Sequence, residues 1–427
     1  MEVAIIITFI VGYAAIALEH PIKVNKAASA LLTGVVCWTI YVLSVAEKDT
    51  VSHKLVEHLG EISGILFFLL GAMTIVELID AHDGFQIITE KIKTQSIVKL
   101  LWIVGVITFF LSAVLDNLTT TIVMISMMRK ILADREKRLF FAGIVVIAAN
   151  AGGAWSPIGD VTTTMLWVGG QVTTLRIIEG VFLASVVCLL VPLLYLTFRM
   201  GGTFEMPKAD ENAVSTSTAF ERNFVFFLGF ACLIFVPIFK TITHLPPFMG
   251  MLFGLGLMWV VTELIHSEKD AADKDSLSVM YALRKIDTPS ILFFLGILVS
   301  ISALQTTGVL THVAGWLDAN IGNQTAIVVA LGLLSSVVDN VPLVAAAQGM
   351  YSLQKYPTDS FFWEFLAYAT GTGGSSLIIG SAAGVAAMGI EKIDFFWYMK
   401  RISLLALLGY FAGAAVYVVQ YNLTPHP

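Results

Sequence analysis

Long apolar runs fill the chain, parted by short polar segments. They fall at 3–18, 27–46, 62–79, 97–115, 118–132, 139–168, 177–198, 221–239, 246–265, 289–305, 324–338, 341–354, 360–388 and 398–419. About 20 mostly apolar residues let an α-helix cross the hydrocarbon of a bilayer, so most runs predict transmembrane helices. Four runs depart from that pattern. Only Asp116-Asn117 parts 97–115 from 118–132, and only Asp339-Asn340 parts 324–338 from 341–354. Two residues cannot carry a polar loop past the headgroups. Residues 97–132 and 324–354 therefore read as re-entrant hairpins whose tips stay inside the membrane. Two further runs, 139–168 and 360–388, are interrupted by Gly-rich polar sequence from Asn150 to Pro157 and from Thr370 to Ser376. Such breaks free backbone groups, which is tolerated only where protein or a water-filled cavity covers them. These runs read as broken helices.

The landmarks recur. SAVLDN ends at Asn117 and SSVVDN at Asn340. Gly152, Gly153 and Gly159 are spaced like Gly373, Gly374 and Gly380, FFLLG ending at Gly71 is answered by LFFLG ending at Gly296, and Trp38 by Trp259. All four pairs keep their order at offsets of 221 to 225 residues. Each half then reads as three spans, an amphipathic piece (Gly84–Lys93 and Gly308–Leu317), a hairpin, a broken span and a last span. A hairpin adds no crossing, so each half crosses five times, and an odd number inverts the second half. The expected fold is an all-α polytopic membrane protein. Residues 1–199 form the first inverted repeat, 200–220 a cytoplasmic linker and 221–427 the second repeat. Inverted repeats whose broken helices meet at the midplane are a recurring design of secondary transporters.

Composition agrees. Hydrophobic residues make up 57% and charged residues 13% of the chain, against about 25% charged in soluble domains. Mean hydropathy is +0.84. A soluble enzyme, a nucleic-acid binder and a disordered chain are all poor fits. The N-terminus lacks a basic region ahead of its apolar run and reads as a retained first helix. Cys37, Cys188 and Cys232 read as buried apolar residues. On the expected topology, 20 of the 25 Lys and Arg lie on one side, and only Lys48, Lys54, Arg176, Lys240 and Lys355 on the other. The rich side is then cytoplasmic, and both termini lie outside.

Asp116 and Asp339 are the sharpest chemical signal. A carboxylate at the centre of a spanning helix costs about 2.5–3.5 kcal/mol, so an intramembrane acid is a functional candidate by default. The plainer reading, two polar turns at a lipid surface, fails if the flanking runs are too short to leave the membrane. Around the tips and breaks gather Asn117, Thr119, Asn150, Ser156, Asp160, Thr162 and Thr163 in the first half, and Ser335, Asn340, Thr372 and Ser375 in the second. Each threonine taken alone is as readily a helix back-bonding residue. The halves are not chemically equal, because Ser381 stands where the first half has Asp160. Oxygen ligands without His or Cys suit a hard cation, and carbonyls freed at helix breaks can complete its shell. No Lys or Arg is expected in mid-span near either tip, so a clamp for an organic anion is missing. Glu61, Glu77 and Glu364 are candidates for a proton path, with an interfacial carboxylate the equal alternative. No HExxH, GxSxG or P-loop motif occurs, and no cofactor is expected.

The Asp116 tip (Asp-Asn-Leu-Thr-Thr-Thr), the Asn150–Thr164 break (Asn-Ala-Gly-Gly-Ala-Trp-Ser-Pro-Ile-Gly-Asp-Val-Thr-Thr-Thr) and the second-half Val-Val-Asp-Asn-Val-Pro and Gly-Thr-Gly-Gly-Ser-Ser runs resemble the NhaD-type sodium/proton antiporters of the ion transporter superfamily. The likeness covers nearly the whole chain. It implies exchange of Na+ or Li+ for H+ in a bacterial inner membrane, and a homodimer with an elevator-like moving part. It also implies function for Asp116, Asn117, Asn150, Asp160, Thr162, Thr163, Ser335, Asp339 and Asn340, with Na+ at Asp116, Asn117, Asp160, Asp339 and Asn340. Two rivals remain: a Na+-coupled carboxylate symporter of the same fold, which two acidic tips would disfavour, and an intramembrane aspartyl enzyme, which leaves the repeat unexplained.

Overall fold

A computed structural model describes residues 1–89, 92, 94–204, 217–267 and 269–423. The first part of the chain forms α1 (Glu2–Ala17), α2 (Glu19–Ile22), α3 (Lys26–Ser44), α4 (Lys48–Ala81), α5 (Gln86–Thr89), α6 (Ile97–Leu115), α7 (Asn117–Ile131), α8 (Arg135–Ala154), α9 (Val161–Val168) and α10 (Thr174–Arg199). Then follow α11 (Ala219–Thr243), α12 (Pro247–Ile265), α13 (Ala271–Ser276), α14 (Val279–Lys285), α15 (Thr288–Thr306) and α16 (Val309–Asn320). The chain closes with α17 (Gln324–Leu334), α18 (Asn340–Met350), α19 (Phe361–Gly373), α20 (Ala382–Glu391), α21 (Phe395–Arg401) and α22 (Ser403–Leu423). Among the described residues there is no strand, only an isolated bridge between Ser96 and Thr203. Nine described helices are long and apolar enough to cross a membrane. The protein is an all-α, multi-pass membrane protein.

Two boundaries differ from the sequence reading. The third helix does not begin near 62 but at Lys48, and it runs 34 residues. Its first turns are polar yet rich in good helix formers, so propensity continues the helix beyond its apolar stretch. Glu61 is therefore inside this helix rather than at its start. Of the first amphipathic piece Gln86–Thr89 forms α5, and Glu90, Lys91 and Lys93 lie outside the described residues, as does 205–216 of the expected linker.

The helices pack as two groups. In one, α3 lies along α15, α12 along α4, and α1 and α11 cover α3 and α12. In the other, α6 packs on α8, α17 on α19, α10 on α22, and α7 and α20 lie together beside α8. The second group is lined with small residues. Every residue from Phe141 to Ala154 of α8 is buried. Gly152 sits so close to the Phe109 carbonyl of α6 that a Cβ would collide with it, the close approach that small residues permit between membrane helices.

Candidate functional site

Four helix breaks meet in the second group, and each restarts with a polar N-cap. Asp116 separates α6 from α7 and accepts the Thr119 N–H (2.9 Å) and hydroxyl (2.7 Å). Asp160 starts α9, its Oδ1 accepting the Thr162 N–H (2.8 Å) and hydroxyl (2.6 Å). Asp339 starts α18 and accepts the Val341 N–H at 3.2 Å. Ser381 starts α20 and accepts the Gly384 N–H at 3.2 Å. The side chains satisfy N–H groups that a helix start leaves open, and the partial positive charge there favours a carboxylate. The opposing helix ends, at Leu115, Ala154, Leu334 and Gly373, bring carbonyls.

Between the breaks runs a buried chain of hydrogen bonds. Asn117 Nδ2 donates to Asp160 Oδ2 at 2.6 Å and to Asn150 Oδ1 at 3.0 Å. Asn150 Nδ2 donates to the hydroxyls of Ser375 and Ser381, both at 2.9 Å. One network thus joins the first tip, both broken helices and both halves of the sequence. Asp160 interacts electrostatically with Asp116 and with Asp339. Other candidates serve their own breaks. Ser156 donates to the Ala113 carbonyl (2.5 Å) and Thr163 to that of Ala154 (3.2 Å). Ser335 donates to the carbonyls of Gly332 (2.7 Å) and Thr370 (3.1 Å), and Thr372 to that of Tyr368 (2.6 Å). The hydroxyls of Ser156, Thr163 and Ser335 occupy carbonyls near helix ends, and that of Thr372 back-bonds within α19. Asn340 is buried as the first residue of α18. Among the described residues, no three His, Cys, Asp or Glu side chains gather at metal-ligand spacing. A cation here would rely on amides, hydroxyls and carbonyls around one or two carboxylates.

The three glutamates stand apart from this network. Glu61 is largely exposed, 3.7 Å from His58. Glu77 is half-buried late in α4. Glu364 is buried in the first turn of α19, its Oε2 accepting the Tyr417 hydroxyl at 3.1 Å.

Two residues that the sequence did not point to touch the second tip. Lys26 Nζ lies 3.7 Å from Asp339 Oδ2, and the Asp339 N–H donates to the Tyr13 hydroxyl at 3.1 Å. No Lys or Arg is expected in mid-span near a tip, and Lys26 reaches the second tip from the first residue of α3. Lys26 begins a span that only tertiary packing brings to Asp339, and no local pattern announces a contact across more than 300 positions. Beside it opens a cleft of about 540 Å³, lined among others by Lys26, Leu118, Ile122 and Ala382. On another face of the group boundary a cleft of about 420 Å³ is lined by His58, Glu61, Gln171, Gln305 and Gln348.

Interrupted spans, polar N-caps inside an apolar bundle and clefts between two helix groups define a multi-pass membrane transporter. The chain belongs to the family described as "Citrate transporter", whose model matches residues 13–373. Its relatives there include antiporters of the NhaD type. The chain is 49% identical to "Sodium/proton antiporter 1" of Arabidopsis thaliana over 99% of its own length and 73% of the relative's. It is 45% identical to "Sodium/proton antiporter 2" of the same plant over 97% of this chain and 98% of that one. It is 30% identical to "Na(+)/H(+) antiporter NhaD" of Vibrio cholerae over 97% and 91%.

Proposed function

We propose that the protein exchanges Na+, or Li+, for H+, with cation and proton competing for the carboxylates of Asp116, Asp160 and Asp339. The observation that carries this reading is the Asn117–Asp160–Asn150–Ser375–Ser381 network, a buried oxygen-rich centre assembled from three helix breaks. A hard monovalent cation finds there Asp160, the amide oxygens of Asn117 and Asn150, and the freed carbonyls. Asn340 is placed to add its amide at the second tip. A carboxylate that has taken a proton has lost the charge that holds Na+, so one cargo excludes the other. The names of the relatives support the same cargo.

The two clefts along the boundary between the helix groups suit access from alternate sides. The paired packing, α3 on α15 and α12 on α4, α6 on α8 and α17 on α19, supports two repeats, 1–199 and 221–427, with tips inside the membrane. The loop charges support a cytoplasmic linker and both termini outside. The NhaD relative of Vibrio supports a bacterial inner membrane, and we take the working form to be a homodimer.

The test is dissipation of a preset pH gradient in proteoliposomes on adding NaCl or LiCl. Wild type is expected to collapse the gradient and Asp160→Asn to leave it standing. A gradient that survives NaCl and LiCl with wild type would sink the proposal. The family description keeps one rival open, a Na+-coupled carboxylate symporter. Uptake of labelled citrate by the same vesicles separates the two, and three aspartates around the centre oppose a polyanion.

A further inference from the structure

Asp339 differs from the other site groups in what holds it. Asp116, Asn117, Asn150 and Asp160 find their partners inside their own helix group. Asp339 is gripped from the other group, by Lys26 at the start of α3 and by the Tyr13 hydroxyl of α1. The Lys26 ammonium is itself fixed: it lies 4.4 Å over the Phe293 ring of α15, and both members of the ion pair are mostly buried, at 21% and 16% side-chain exposure. Lys26 lines the 540 Å³ cleft that reaches the start of α7 and of α20. We infer that Lys26 is a tethered stand-in for the cargo cation at Asp339. It neutralises the carboxylate when no cargo is bound and ties the two helix groups together. A Na+ that takes the Asp339 oxygens has to displace the ammonium, because two cations on one carboxylate repel. Cargo binding then unties the groups, which ties their relative movement to loading. This inference rests on the reading of Asp339 as a cation-facing group.

A merely structural ion pair would make loss of Lys26 harmful to folding without sharpening the response to Na+. Lys26 as a competitor makes the opposite prediction for affinity. Exchange by Lys26→Met and Lys26→Arg is compared with wild type in proteoliposomes as a function of NaCl. Lys26→Met is expected to lower the half-saturating Na+ concentration roughly tenfold and to lower the maximal rate, since the empty groups are no longer held in register. Lys26→Arg keeps the charge and is expected to stay within about twofold of wild type. Lys26→Gln replaces the Met variant if that protein is not monodisperse. A second readout is equilibrium binding of 22Na+ in the Asp339→Asn background, where removing Lys26 is expected to change nothing. Half-saturation unchanged or raised in the uncharged variants, or shifted equally in Lys26→Arg, overturns the inference. Absence of any Na+-dependent exchange in wild type fails the proposed function instead, so the two failures are told apart.

Discussion

The two tips share a sequence signature and a capping carboxylate, and differ in backbone, strain and partners. Asp116 sits at φ +82° and ψ +157°, a region that residues with a Cβ rarely enter. Asp339 sits at φ −47° and ψ 137°, which any residue adopts. Asp116 caps its own helix and lies one residue from the Asn117–Asp160 network. Asp339 reaches instead toward Lys26 and Tyr13. The Asp-Asn signature and the glycine spacing recur, while the tip backbone and the chemistry do not. The first tip thus belongs to a pre-formed polar centre, and the second, on the proposed reading, to a contact that opens and closes.

The largest effect is expected at Asp160. Asp160→Asn should cut Na+-dependent exchange by more than 100-fold, with an unchanged elution profile in detergent. The paired change Asp160→Ser with Ser381→Asp moves the acid to the other half of the repeat. It should leave exchange lost, because Asn117 donates to position 160, while Ser381 is met by Asn150 and its own Gly384 N–H rather than by Asn117. Recovery of exchange in the double variant would show that the halves are chemically interchangeable.

Packing should respond to the opposite rule. A Cβ on Gly159 would stand 2.6 Å from the Ser112 carbonyl oxygen, and one on Gly380 2.6 Å from that of Ser336. Backbone atoms cannot give way cheaply, so each Gly→Ala change is expected to cost about 2 kcal/mol. The two losses should match within experimental error by thermal unfolding. A large inequality would break the proposal that the two broken helices are repeats of one another.

How much of this was legible beforehand follows from what is local. Gly spacing, the Asp-Asn tips and the breaks are short-range patterns, and the structure interrupts helices at Asp116, at 335–339, and after Ala154 and Gly373. Asn150 and Asp160 were readable as polar groups in an apolar run. Their bonding to Asn117 and Ser381 was not, because it depends on how three breaks stack. Thr163, Ser335 and Thr372 were gathered as cation ligands, yet their hydroxyls serve carbonyls in or beside their own breaks, a role composition cannot distinguish from ligation. Lys26 was placed with the loop charges because it opens a span. Only the packing of both α3 and α18 on α15 brings it to the second tip.

The strain at the first tip gives a smaller, signed effect. Glycine adopts φ +82° without cost, whereas a non-Gly residue held outside its favoured regions costs about 1–3 kcal/mol. Asp116→Gly loses the cap but gains that relief, and a Gly cap costs only a few tenths of a kcal/mol. It should therefore raise stability by about 1 kcal/mol while exchange is lost. Asp339→Gly has no strain to relieve and should lower stability, by a few tenths of a kcal/mol for the cap and further for the Lys26 ammonium left without its partner. Equal signs in chemical or thermal unfolding would mean that the tips are equivalent after all.

The smallest effect lies where the halves meet without touching cargo. His82 ends α4 and His266 ends α12, and their Nε2 atoms are 2.8 Å apart with the rings stacked. Burial pushes His82 from the ordinary 6.5 down to about 4, and His266 is also lowered by burial. The His82 Nδ1 faces the Leu78 carbonyl at 2.7 Å, and His266 faces Glu221 at 3.5 Å with Lys269 alongside. Between about pH 6.5 and 4 the unfolded chain binds a proton at His82 more readily than the folded one. Stability at this site is thus full above the unfolded value and falls as pH drops through that window. Wild type minus His82→Gln, measured as melting temperature at pH 7.5, 6, 5 and 4, should shrink by several degrees toward acid. Subtraction removes the carboxylates that titrate in both proteins. A difference that stays flat across the window would mean that the dyad carries its proton in the folded state. The junction of α4 and α12 would then be a charged contact, like that of Lys26 with Asp339, rather than a neutral one.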